Sequence, residues 1–435
     1  MKKIFLFFCS LVFSASVLFA VTKDEPKSIT LDKALSLARE NNISIKREQI
    51  LLSAAQRKSA HSGNNFLPSI SVSANNDIEL PDLNGGENNS IRNNTGLEGK
   101  VSLSIMPEYF ASIKKARLDY EAAGISFDES VFEISSQVKE MYFSLIFARQ
   151  NLAFLKENLE TARNQFTQDE ERFRRGTLSE IEYLSSKIAY EKIKPELKTQ
   201  ELSFKKDLKA FCNFIGIEDE EIILSGSLED FIRQYSSFFD TSMKENVAEN
   251  IRNGNVNSIK NLEKQIESAQ KGVSMSRLSA YAPSVNLSYS VSPVIYGEEQ
   301  GRIKQSASIG ISIPIENFFS FSKGADAIKE AQDGVKDLQL QLIEKKLNVN
   351  TEFNHIIKSL AQKEETIASY KEFVALAQSN YSTAKYAYSK GMTEFLSMQN
   401  ASKENLEAKL NLQSELLETL KLYILLEKLS GKSVF

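Results

Sequence analysis

The chain carries an internal repeat with a period of 215 residues. Shifting the sequence by that number places Pro68 on Pro283 and Gly176 on Gly391. Five apolar positions spaced by seven coincide as well. They are Leu145, Leu152, Leu159, Phe166 and Phe173, which fall on Leu360, Ile367, Val374, Tyr381 and Tyr388. A fixed period indicates one structural unit used twice, so the sequence predicts two halves of one architecture.

The first twenty residues have the pattern of a secretory signal peptide. Lys2 and Lys3 precede an apolar run from Ile4 to Phe19, and Ala20 offers a small residue for cleavage. No later run is apolar over the roughly 20 residues that a spanning helix needs. We therefore expect export. The predicted domains are a signal peptide at 1–20, a first repeat at 21–215, a connector at 216–240 and a second repeat at 241–435.

Each repeat contains a predicted β-hairpin. Beyond Pro68 and Pro283, aliphatic residues alternate with serine, asparagine and glycine, as in ISVSAN and VNLSYS. Two alternating runs around a polar loop are typical of a hairpin, which we place at 68–106 and 283–315. Within the connector, the apolar run Ile222–Leu224 predicts a short strand.

A very long helix follows each hairpin. No proline occurs from 108 to 175 or from 325 to 390, which predicts helices of roughly 100 Å. The sevenfold spacing indicates a coiled-coil seam, and Gly176 and Gly391 indicate the turns at its end. Pro195 is expected to kink the helix that contains it. Further helices are predicted at 29–60, 179–214, 241–280 and 394–430.

Strands of about ten residues match the length that crosses a bilayer at a tilt, with the aliphatic face toward lipid. Open sheet edges are costly in lipid, and four strands cannot close a barrel. Two chains would give eight strands with a filled interior, whereas three give twelve and leave a lumen. The fold class is therefore mostly α with membrane β-strands, assembled as a homotrimer. A soluble periplasmic coiled-coil scaffold and a periplasmic adaptor are the alternatives.

The chain resembles the TolC family of trimeric outer-membrane efflux proteins over residues 28–431. The resemblance rests on ITLDKALSLARENN, on the Pro-Ser entry to each hairpin, on the glycine tips and on the closing ELLETLKLYILLEKLSG segment. It implies a twelve-stranded barrel in the outer membrane above an α-helical periplasmic tunnel. It also implies a passive path for efflux or type I secretion, supplied by a periplasmic adaptor and an inner-membrane transporter.

The resemblance also implies two sets of functional residues. The helix tips meet the adaptor, and here these are Arg175, Gly176, Thr177, Leu178, Lys390, Gly391, Met392 and Thr393. The family narrows its tunnel near the tips with an acidic pair and a tyrosine. Tyr388 matches the tyrosine, but Ser397 and Asn400 stand where the acidic pair is expected. We therefore expect a constriction with less negative charge, to which Glu182 contributes.

Composition and motifs favour neither enzymatic chemistry nor nucleic-acid binding. The two histidines, His61 and His355, belong to no metal-spaced cluster, and no phosphate-binding glycine loop is present. The net charge of −4 is mildly acidic, which disfavours a nucleic-acid partner. We expect no cofactor and no metal.

Overall fold

The structure is a computed structural model, and it describes residues 27–79, 92–218, 222–297 and 300–435. The predicted signal peptide at 1–20 and the polar loop of the first hairpin lie outside the described residues. The strands are β1 (Lys27–Ile29), β2 (Ser69–Glu79), β3 (Arg92–Ile105), β4 (Ile222–Leu224), β5 (Ser284–Tyr296) and β6 (Ile303–Ser312). The helices are α1 (Leu31–Asn41), α2 (Ile43–Ala60), α3 (Glu108–Arg174), α4 (Glu180–Ile215), α5 (Leu228–Phe238), α6 (Thr241–Arg252), α7 (Asn257–Tyr281), α8 (Lys323–Ser389) and α9 (Phe395–Ser430).

The two repeats have matching long helices. Both α3 and α8 contain 67 residues, and both returning helices, α4 and α9, contain 36. Leu145 and Leu152 of the first seam are buried, as are their equivalents Leu360 and Ile367. Helix α4 continues without a break through Pro195. The predicted fold class, mostly α-helical with a few long strands, is confirmed.

Two of the predicted helices are divided in the structure. The segment 29–60 begins with Ile29 at the end of β1 and breaks at Asn42. The side-chain oxygen of Asn42 accepts the backbone N–H of Ser44 at 2.8 Å. The side-chain amide nitrogen of Asn42 donates to the backbone carbonyl of Phe214 at 2.9 Å. A side chain that caps a new helix and also bonds to α4 redirects the chain there. The predicted helix 241–280 is likewise two helices, α6 and α7.

The connector holds more structure than its sequence suggested. β4 lies at the predicted short strand and pairs in parallel with β1. Helix α5, which the sequence did not predict, follows it, and the Ser227 hydroxyl caps α5 by accepting the Asp230 N–H at 3.2 Å. Tyr235 and Phe231 of α5 are buried in the main core, so tertiary contacts stabilise this short helix.

The long strands form one open antiparallel sheet in the order β2-β3-β5-β6. Its register places serines on one face, where the Ser69 and Ser102 hydroxyls lie 2.7 Å apart. On the other face Leu103 pairs with Leu287, and Leu287 pairs with Ile309. The sheet therefore has one hydroxyl face and one aliphatic face, and β2 and β6 are its edges.

The main core lies at the level of β1, β4 and α5, and we call this level the equator. Here α1, α5 and α6 pack around the upper parts of α3, α4, α8 and α9. Tyr142 is fully buried, and its hydroxyl donates to the carbonyls of Ile29 at 2.9 Å and Ser225 at 2.8 Å. The small equatorial sheet is thereby anchored to α3.

None of the helices in the described ranges is long and apolar enough to cross a membrane.

Candidate functional site

The two helix tips have the same turn geometry. Gly176 and Gly391 adopt left-handed φ angles of 70° and 72°. The N–H of the next residue donates to the carbonyl five positions back, from Thr177 to Arg172 and from Met392 to Ala387, both at 2.9 Å. This is a glycine helix stop, and only a residue without Cβ adopts this φ at no steric cost.

The tip residues differ in exposure although their backbones match. Leu178 is buried, with 8% of its surface exposed, whereas Met392 is 76% exposed. Thr393 is half-buried. The other residues predicted to contact a partner are all exposed. These are Arg175, Gly176, Thr177, Lys390 and Gly391.

Tyr388 links the second repeat to the first. Its side chain is buried, and its hydroxyl donates to the Asp169 carboxylate on α3 at 2.9 Å. The amide of Gln165 donates to the other Asp169 oxygen at 3.1 Å. The Arg172 guanidinium lies 3.7 Å from Asp169 and 5.3 Å from the centre of the Tyr388 ring. We call the Tyr388–Asp169 bond and Arg172 the tip link.

The electrostatics of the tip link follow from burial. Desolvation raises the pKa of Asp169 above its usual value, although Gln165, Tyr388 and Arg172 each favour the ionised form. The pKa of Tyr388 is raised by desolvation and by the neighbouring Asp169 charge, so the phenol remains a donor at neutral pH. The link is therefore a directed hydrogen bond in a water-poor site.

A small apolar cluster supports the tip link. Tyr388 packs with Phe395 and Met398 of α9, and its ring lies 5.7 Å from that of Phe395 in an edge-on arrangement. This cluster is separate from the equatorial core. Few apolar contacts therefore hold the second helix hairpin against the first at this level.

The other constriction residues predicted from the sequence make no hydrogen bond to the tip link in the described part of the chain, although the charge of Glu182, after desolvation and the Asp169 charge, contributes to the raised pKa of Tyr388. The backbone N–H of Glu182 donates to the Ser179 hydroxyl at 3.3 Å, and the Glu182 carboxylate accepts the backbone N–H of Ser179 at 3.4 Å. It thus completes a capping box at the start of α4. Ser397 and Asn400 are exposed on the first turns of α9.

Pro68 and Pro283 occupy equivalent positions in the sheet. Each immediately precedes a strand, β2 or β5, and each is exposed. Proline has no backbone N–H to donate. At the position just before a strand, this missing donor removes no hydrogen bond from the sheet.

Asp169 and Arg172 were missed by the sequence reasoning. A second series of apolar residues at steps of seven runs along α3 beside the one that contains Leu145. Leu155 and Ala162 belong to it, and Asp169 occupies the next position. A carboxylate at a seam position is expected to have a specific partner, because an unpaired buried charge is costly. That irregularity was the available signal.

Comparisons with known proteins agree with this geometry. Residues 34–211 match the sequence profile of the family described as outer membrane efflux protein. No curated protein matches the chain significantly.

Solved structures share the fold over nearly the whole chain. The outer membrane protein VceC of Vibrio cholerae has 14% identity and a TM-score of 0.72, over 93% of this chain and 97% of that one. The Campylobacter jejuni CmeC outer membrane channel has 15% identity and a TM-score of 0.74, over 92% and 85%. The Neisseria gonorrhoeae MtrE outer membrane channel has 16% identity and a TM-score of 0.68, over 93% and 89%.

The family profile covers most of the first repeat, and the second repeat has the same order of hairpin, long helix, glycine tip and returning helix. Over residues 34–211 the chain is similar to the outer membrane efflux protein family, and its fold is similar to those of solved outer-membrane channels over nearly its whole length.

Proposed function

We propose that three copies of this chain form an outer-membrane channel that serves as the passive exit of a tripartite efflux or type I secretion system. The barrel lies in the outer membrane and the helical tunnel lies in the periplasm. The match of residues 34–211 to the outer membrane efflux protein family and the shared fold favour this role over a soluble scaffold or an adaptor. A periplasmic adaptor and an inner-membrane transporter are the proposed partners, and the transporter supplies the energy.

The observation that carries the proposal is that, in the described part of the chain, the same two sides end the packing order in the sheet and in the long helices. In the sheet these sides are the edges of β2 and β6. Lower down, helix packing follows the orders α2-α3-α7-α8 and α4-α3-α9-α8. One side is therefore always β2, α2 and α4, and the other is always β6 and α8.

Both sides carry exposed apolar residues at helical spacing. On α4, Ile181, Leu184 and Ile188 are exposed at steps of three and four. On α8, Leu340, Ile343 and Leu347 repeat the same steps. Such a row lies on one face of a helix and favours packing against another helix.

Two different complementary sides make a head-to-tail contact, which closes into a ring when the rotation between copies permits. Three copies join four strands each into twelve, which enclose a lumen. The four strands of the open sheet contain 10 to 14 residues, enough to cross a bilayer at a tilt. Closure also removes the open edges that lipid would penalise.

The tip residues have two proposed roles within the trimer. The exposed turns at Gly176 and Gly391 contact the adaptor. Tyr388 narrows the tunnel through the tip link, and Glu182, Ser397 and Asn400 contribute a constriction of low negative charge.

Crosslinking between copies tests the assembly. Ile188→Cys on α4 is combined with Leu376→Cys, which is exposed on α8 at a similar distance from the tip. Oxidation is expected to give covalent trimers on denaturing gels, and the purified protein is expected to conduct ions in planar bilayers. The control pairs Ile188→Cys with Ala408→Cys, which is buried inside the chain. Crosslinks that stop at dimers, or a protein without conductance, would contradict the channel.

A further inference from the structure

The two tips are not equivalent surfaces. The apolar residue is the second residue after the glycine at the first tip and the first residue after the glycine at the second tip. Under the 215-residue shift, Thr177 corresponds to Met392 and Leu178 to Thr393. The first tip turns its leucine inward, whereas the second tip presents its methionine to solvent, 76% exposed. The surrounding turns have the same hydrogen bonds, so the side chains alone create this difference.

Further apolar surface surrounds Met392. Tyr386 in the last turn of α8 and Leu396 in the first turn of α9 are 63% and 59% exposed. Leu396 does not continue into a row, because Gln399 and Lys403 occupy the next positions on that face. By contrast, Ile181 at the first tip begins the row on α4 that faces a neighbouring copy. Leu396 and Met392 therefore form a local apolar surface at the second tip, and Tyr386 borders it from α8.

The charges of the two tips also differ. At the first tip, Arg174 pairs with Glu170 at 2.9 Å and Arg175 with Glu171 at 3.8 Å, both within α3. At the second tip, neither Lys385 nor Lys390 has a carboxylate within ion-pair distance in the part of the chain that the structure describes. The Lys390 ammonium lies 5.6 Å from the centre of the Tyr386 ring. Unbalanced positive charge thus borders the exposed apolar group.

We propose that the second tip is the main docking surface, and that it fits a protein partner with an apolar side chain beside a carboxylate. The apolar side chain packs on Met392, Tyr386 and Leu396, and the carboxylate faces Lys390. This inference rests on the proposed function, in which an adaptor meets the tips. The first tip, whose arginines are already paired and whose leucine is buried, contributes shape rather than affinity.

A binding measurement tests the inference. The trimer is immobilised, and the probe is the purified periplasmic domain of the adaptor that restores export with this channel. Met392→Thr places the residue of the first tip on an identical turn, so the fold tolerates it. It is expected to weaken binding about tenfold or more, because a buried methionine is lost. Lys390→Glu is expected to weaken binding about tenfold and to reverse its salt dependence.

The matched comparison variants are Thr177→Ala and Arg175→Glu at the first tip, and each is expected to weaken binding by a smaller factor than Met392→Thr or Lys390→Glu. Trimer migration and conductance verify that every variant assembles. If the first-tip variants weaken binding as much as the second-tip variants, or if Met392→Thr and Lys390→Glu have no effect, the inference is wrong while the channel stands. If the unmodified trimer does not bind the adaptor although it conducts, the proposed partner and the inference both fail.

Discussion

Two of the contacts that join helix α3 to the second repeat, one at the equator and one near the tip, have very different surroundings. Lys139 and Asp169 lie 30 positions apart on α3, about 45 Å along a helix. At the equator, Lys139 forms a buried ion pair with Glu427 of α9. Near the tip, Asp169 accepts one hydrogen bond from Tyr388 of α8.

The equatorial link has several partners inside a large core. The second Glu427 oxygen accepts from the Tyr235 hydroxyl at 2.9 Å, and the first accepts the N–H of Val434 at 2.8 Å. Lys139 also donates to the Ser433 hydroxyl at 3.2 Å. Charges buried this deeply are stable only when every partner is present, so the equatorial link resists any relative movement of α3 and α9.

The tip link lies in a cluster of only three buried apolar residues. Such a region opens at lower free energy than one inside a large core, because less apolar surface must be exposed. From this difference we propose that the equator is the fixed end of the helices, and that the tip is where movement of α8 and α9 can widen the tunnel.

The largest effect is expected from breaking the equatorial link. Lys139→Met leaves the buried Glu427 carboxylate without its cation and should lower the free energy of unfolding by about 3–5 kcal/mol. Denaturant unfolding of the purified trimer, followed by circular dichroism, measures it.

The matched variant adds Glu427→Gln to Lys139→Met. It removes both charges but keeps oxygens and hydrogens for the remaining bonds, so it should recover part of the loss. A double variant no more stable than the single one would mean that packing, and not the charge, makes the equatorial link strong.

A smaller effect is expected from Tyr388→Phe. The ring still packs on Phe395, but Asp169 loses its phenol donor, which should cost about 1–3 kcal/mol in the closed tip. Single-channel recordings should show a higher open probability, while the variant still migrates as a trimer. Tyr386→Phe is the control, because this tyrosine is exposed on the same helix. Equal effects of the two variants would argue against the tip link as the element that closes the tunnel.

The tip link should also respond to pH. The pKa of Asp169 is raised by burial in the closed tip, so the closed form holds a proton more tightly than a form with Asp169 in water. Closing is thus favoured at low pH and weakened as pH rises through the raised pKa, with Arg172, Tyr388 and Ser186 facing the carboxyl. Open probability should fall when the pH is lowered from 7 toward about 4.

Asp169→Asn tests the origin of that pH dependence. Its amide oxygen still accepts from Tyr388, so the open probability should become insensitive to pH over this range. A variant that keeps the full pH response would place the titrating group elsewhere.

The smallest effect is expected from Glu182→Gln. Glutamine preserves the capping box with Ser179, so stability should change by less than about 0.5 kcal/mol. If Glu182 contributes to the constriction, block of the conductance by multivalent cations should weaken. Unchanged block would leave Glu182 as a helix cap alone.

The sequence alone determined the architecture. The period of 215 residues, the two prolines, the two glycines and the alternating runs predict the four long strands and the helices α3, α4, α8 and α9, because periodicity reports which face of an element is buried. Glycine and proline act locally through φ, so the tips and the strand entries can also be read from single residues.

Only the tertiary structure decided which residues meet. The break at Asn42 and the helix α5 depend on contacts with α4 and the core, which local propensity does not encode. The pairs Asp169–Tyr388 and Lys139–Glu427 join residues 219 and 288 positions apart. Likewise, Leu178 follows Thr177 at the first tip and Met392 precedes Thr393 at the second. Only packing decides which of these two apolar side chains is buried. Contacts at that separation follow from how the two repeats pack, and a repeat by itself does not specify how its copies differ.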